Sequence, residues 1–128
     1  MWLAISAGGA LGALSRWLVG EVVPGLVIGA AGSGFPWDTL VVNVLGCALI
    51  GVLAPVLIGR ATWLAGFVVT GFLGGFTTYS AFAEETFVLA DRGDMAGLVL
   101  AGTYVAVTIA ATTLAVILGS RMSPERAQ

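Results

Sequence analysis

The sequence has no histidine and no lysine, and it has a single cysteine. Without histidine the chain lacks the commonest general base, pH switch and metal ligand. Cys47 alone can form neither an intrachain disulfide nor a CxxC motif, and it reads as a small apolar residue on a membrane helix. No Ser/His/Asp or Cys/His set can be assembled, so the chain is read as a non-enzyme. Charge is scarce as well: 9% of residues are charged, against about 25% in soluble domains. There is no basic stripe, which excludes nucleic acid as a partner.

What is present is apolar. Hydrophobic residues make up 59% of the 128, which places the chain in the lipid bilayer. A crossing needs about 20 mostly apolar residues. Four segments meet this: residues 2–23, 39–58, 62–89 and 95–119. Pro24 is expected to stop the first, and Asp38 and Thr39 to begin the second. The third is longer than one straight crossing requires. The first lacks a basic leader and is read as a retained span, not a cleaved signal. Residues 1–128 therefore form one all-α, four-helix transmembrane unit. So thin a bundle is expected to build any polar path against a second subunit.

Orientation follows arginine in the short loops. With the N-terminus on one side, Arg60, Arg121 and Arg126 share that side; Arg92, and Arg16 near the end of the first span, fall on the other. This bias is weak. It fits either a single orientation or insertion in both.

Polar residues inside spans are costly and often functional. Asn43 lies a few residues into the second span, where an amide serves interhelical hydrogen bonding or a ligand. Tyr104, Thr108 and Thr112 follow i, i+4, i+8 and share a helix face about 12 Å long. They are either a hydroxyl ladder or hydroxyls bonded back to their own helix. Gly8, Gly12 and Arg16 repeat that spacing in the first span. The glycines suit close packing, and Arg16 suits either an interfacial orientation role or a vestibule that draws anions. The acidic residues sit in loops or near span ends, Glu84 and Glu85 included. A proton-coupled pump wants a buried titratable relay, so coupling is disfavoured.

Residues 71–82 read GFLGGFTTYSAF. Three glycines weaken the helix, and four hydroxyl residues follow in a row. Irregular backbone at membrane depth is tolerated where protein buries it or water reaches it. A break frees carbonyl oxygens, which suit a hard cation such as Na⁺. A Gly-rich packing helix is the plainer reading. Phe76, Tyr79 and Phe82 recur every three residues, and their ring edges carry positive charge that favours an anion; simple packing is the alternative.

Taken in order, GGALGALSRW at 8–17, DTLVVNVLGCALIG at 38–51, GFLGGFTTYSAF at 71–82 and Tyr104 resemble the Fluc/CrcB family of small bacterial fluoride ion channels. The resemblance covers nearly the whole chain. It implies an antiparallel, dual-topology homodimer in the bacterial inner membrane that exports fluoride passively and so confers fluoride resistance. It further implies a structural Na⁺ at the dimer interface, held by backbone carbonyls of Gly74 and Thr77, with no organic cofactor. The anion pathway it implies uses Asn43, Tyr79, Ser80, Phe82, Tyr104, Thr108 and Thr112. Tyr79 and Ala81 depart from the family's usual phenylalanine and threonine. Two rivals remain at this point. A small dual-topology drug/proton exporter would need a glutamate within the first span, where residues 9–14 supply none. A non-transporting assembly subunit would need neither a polar stripe nor a break.

Overall fold

A computed structural model describes residues 1–26, 34–59 and 62–123. Arg60, Glu125 and Arg126, two of them in the arginine count by side, lie outside the described residues. Helix α1 runs Trp2–Leu26 and α2 runs Trp37–Leu57. The third segment is composite: α3 (Thr62–Ala65), a π-helical run Gly66–Leu73, α4 (Gly74–Phe76), two extended residues, then α5 (Tyr79–Ala90). Helix α6 runs Met95–Met122. Four helical segments, Trp2–Val22, Trp37–Leu57, Thr62–Ala90 and Met95–Met122, are long and apolar enough to cross a membrane.

The ends differ from expectation in two places. Helix α1 continues through Pro24 to Leu26. Proline removes one hydrogen bond from a helix, and a single loss near the end does not stop it. Helix α2 starts at Trp37 behind Pro36, with no side-chain cap, and Asp38 and Thr39 lie inside its first turn. The turn before α6 behaves as its residues dictate. Gly93 takes φ +76, a left-handed conformation that glycine adopts freely. Asp94 then caps α6 by accepting from Gly97 N at 2.6 Å.

Packing follows two seams. Helix α1 lies along the π-helical run and α4, and α6 lies along α2. Glycine makes both contacts possible. A β-carbon on Gly12 would sit 2.8 Å from Phe76 N and on top of the Phe72 carbonyl. On the second seam, one on Gly51 would lie 2.9 Å from Ser120 N. Small residues let helix backbones meet where lipid gives no hydrophobic drive.

Gly102 shows the opposite situation. Nothing lies within 4 Å of a β-carbon built there, and its φ is ordinary. Gly102→Ala should therefore stabilise α6 by about 0.5–1 kcal/mol through helix propensity alone. Thermal unfolding in detergent reads this out, and a lowered midpoint would place a partner against that face.

Candidate functional site

The third segment breaks at Thr77 and Thr78. Both take extended angles, φ −71, ψ 153 and φ −142, ψ 124. The chain seals the ends of this break with side chains, because unpaired backbone groups are costly at membrane depth. Thr77 donates both its N–H and its hydroxyl to the Leu73 carbonyl, each at 2.9 Å. Thr78 caps α5 by accepting from Ala81 N at 3.2 Å, and its hydroxyl lies 3.2 Å from that of Ser80.

Asn43 holds the break from across the bundle. Its Nδ2 donates to the Thr78 carbonyl at 2.9 Å, and its Oδ1 accepts from Thr78 N at 2.8 Å. The amide is buried. In a continuous α-helix Thr78 N would donate to the Gly74 carbonyl. Its donation to Asn43 frees that carbonyl from its helical partner. Gly74 is exposed on the single chain. Thr77, three residues on, takes an extended conformation. A hard monovalent cation accepts carbonyl oxygens as ligands.

A groove of about 490 Å³ opens beside the break, between α2, α5 and α6. Asn43, Tyr79, Phe82, Thr108 and Thr112 line it, all five expected from the sequence. Thr77, Thr78 and Cys47 line it as well. Cys47 follows Asn43 by one helical turn, so its place on that wall follows from i, i+4 spacing. Thr108 is 6% exposed, and its hydroxyl has no hydrogen-bond partner among the described residues. Thr112 donates back to the Thr108 carbonyl at 2.7 Å, the self-bonded alternative for a helical threonine.

The expected stripe divides at Tyr104. This side chain is fully buried, and its hydroxyl donates to Glu85 Oε2 at 2.6 Å. Thr39 donates to Glu85 Oε1, also at 2.6 Å. One carboxylate thus gathers two neutral donors from α2 and α6. Sequence position had left Glu85 and Thr39 as boundary residues. The signal that could have found them is the i, i+4 offset that sets Thr39 one turn before Asn43 on the same face of α2. The Tyr104 ring joins the groove by aromatic contact, with Phe82 at 5.3 Å and Phe35 edge-on at 5.3 Å. Phe82 in turn meets Tyr79 at 6.0 Å. Phe76 is buried and stacks on Phe72 at 6.1 Å, so it takes no part in this chain of rings. Ser80 is exposed and bonds within the break.

A second cavity of about 320 Å³ holds Arg16, with Glu21, Asp38, Thr39, Thr78 and Glu85 among its walls. It adjoins the break through Thr78 and gives Arg16 a vestibule position. Three carboxylates share it, so the arginine there is outnumbered. Among the described residues, no group of three or more His, Cys, Asp or Glu side chains could hold a metal.

The chain is similar in sequence to known proteins. A family model described as CrcB-like protein, Camphor Resistance (CrcB), matches residues 3–120. A protein of Rhizobium johnstonii called fluoride-specific ion channel FluC is 40% identical over 120 residues, covering 91% of this chain and 90% of the relative. One of the same name from Bordetella parapertussis is 42% identical over 120 residues, at 91% and 90% coverage. Another from Paracoccus denitrificans is 42% identical over 119 residues, at 92% and 90%.

Proposed function

The chain belongs to the CrcB family, and on that footing we propose that it is a fluoride-selective channel. It is a multi-pass membrane transporter and not an enzyme. It lets fluoride leave the cytoplasm passively through the bacterial plasma membrane, which gives fluoride resistance. The observation that carries this reading is the Thr108 hydroxyl, buried without a partner on the wall of a groove that Asn43, Tyr79, Phe82 and Thr112 also line. A buried hydroxyl left unpaired is costly. Turned into the groove, the hydroxyl would relieve that cost by donating to a small anion.

Fluoride is small and strongly hydrated, so a path must replace its water with many weak donors. Hydroxyls and ring edges do this without a fixed charge that would trap the ion. Arg16 lies outside the groove, among three carboxylates, so no fixed positive charge holds the ion in the path. Asn43 shapes the path chiefly by holding the break open. The Glu85 pair with Tyr104 fixes the Tyr104 ring beside Phe82.

The active unit is a homodimer of antiparallel, dually inserted subunits. Tyr79, Ser80 and Gly74 are exposed on the single chain near the middle of the third span, where lipid offers no hydrogen bonds. A second copy covers them. A structural Na⁺ fits between the copies, held by the Gly74 and Thr77 carbonyls. It would supply a fixed positive charge and lock the two breaks together.

Purified protein in liposomes loaded with fluoride should release it without moving protons and with little chloride. Equal chloride release, or none of either ion, sinks the reading. Proton-coupled release would instead favour the drug/proton exporter.

A further inference from the structure

The Tyr79 hydroxyl is a donor that nothing in the fold employs. Tyr79 opens α5 directly after the break, near the middle of the span Thr62–Ala90. It is 80% exposed on the single chain, and its hydroxyl has no hydrogen-bond partner among the described residues. The other tyrosine, Tyr104, has its hydroxyl tied to Glu85. Tyrosine in membrane proteins gathers at the two water interfaces, where its hydroxyl is wet. A free hydroxyl in hydrocarbon is penalised. The position of Tyr79 therefore calls for an acceptor.

The groove supplies the place for one. Tyr79 and Thr108 line the same wall system, one from α5 and the other from α6. Both hydroxyls are unused. The Tyr79 ring leans on Phe82, which fixes its position beside the groove. The exposed Tyr79 hydroxyl on the wall of this groove suits a small acceptor that enters it. A monatomic anion has no orientation of its own and meets that need.

We propose that the Tyr79 hydroxyl is a hydrogen-bond donor to fluoride in the groove, and that it retains the ion and limits throughput. The proposal rests on the fluoride-channel reading. A hydrogen bond to a charged acceptor is stronger than a neutral one. Conduction requires binding favourable enough to admit the ion and weak enough to release it. An added donor shifts the balance toward retention.

Tyr79→Phe removes the hydroxyl and keeps the ring and its edge. Fluoride efflux from proteoliposomes, measured across a range of fluoride concentrations, should then saturate later and faster. The half-saturating concentration and the maximal rate should each rise by about ten- to 100-fold, the size expected for losing one bond to a charged acceptor. A curve that matches the unaltered protein overturns the proposal and leaves the channel reading intact. So does a slower variant, since the hydroxyl would then promote passage. Size-exclusion chromatography in detergent covers the remaining case: a variant that no longer folds or self-associates shows that the hydroxyl serves structure, and also overturns it. Absence of fluoride efflux from the unaltered protein brings down both readings together.

Discussion

Replacing Asn43 with aspartate is expected to cut fluoride release from proteoliposomes by about 100-fold or more. The two side chains have one shape, but aspartate lacks the amide's two N–H donors and carries a charge. Asn43 satisfies both backbone polar groups of Thr78. An ionised aspartate still accepts from Thr78 N, but its second oxygen faces the Thr78 carbonyl, and two acceptors repel. Leaving that buried carbonyl unpaired costs about 1–3 kcal/mol. A carboxylate within the span adds up to about 2.5–3.5 kcal/mol, the insertion cost at a helix centre, and repels an anion besides. Each 1.4 kcal/mol is a factor of ten. Acid should rescue the variant in part, because a protonated carboxyl regains a donor for the Thr78 carbonyl and loses its charge. Stopped efflux that recovers as pH falls fits this account. Flux unchanged at neutral pH would remove Asn43 from both the clamp and the path.

The second large effect is expected on assembly of the fold. Gly12→Val forces a branched side chain into the space held by the Phe72 carbonyl and Phe76 N, the latter 2.8 Å from a β-carbon. Backbone cannot step aside as a flexible side chain can. Overpacking costs about 1–3 kcal/mol, occasionally more, and here it pushes α1 off the segment that leads into the break. Gly9→Val is the matched control on the same helix, where the nearest atom, Gly71 O, lies 3.9 Å away. Thermal unfolding in detergent and fluoride efflux should both fall sharply for the first and little for the second. Equal behaviour of the two would mean that the α1 seam is not close-packed in the membrane.

The parts of this architecture legible in the sequence are those that local chemistry fixes. Four apolar runs give four candidate spans. The excess length of the third, with its glycines and threonines, gives the break to within a residue or two. The groove lining was legible because Asn43, Thr108 and Thr112 are polar where polarity is expensive. Less legible was anything that depends on helix rotation. Spans apolar all round carry little information about which face packs. So Tyr104 was grouped with the threonines by spacing, and its hydroxyl turned out to serve Glu85, 19 residues away. Thr39 reaches Glu85 across 46 residues, a convergence that no local pattern encodes. The π-helical run was also hidden, since GFVVTGFL is as apolar as any helical stretch.

That run makes the third span a device for setting angular phase. A π-helical turn holds an extra residue, so each such turn retards the side chains beyond it relative to an α-helix. Everything downstream, including where Tyr79 and Phe82 point, inherits the accumulated lag. Removing one residue between Gly66 and Leu73 would let the helix relax to α geometry with better hydrogen bonds. Straightened at its full length instead, the run would rotate the break away from Asn43, because the extra residue would then advance everything beyond it. The wide turns thus act as a spacer in azimuth: they sacrifice local regularity so that a distant pair of threonines arrives at the right bearing.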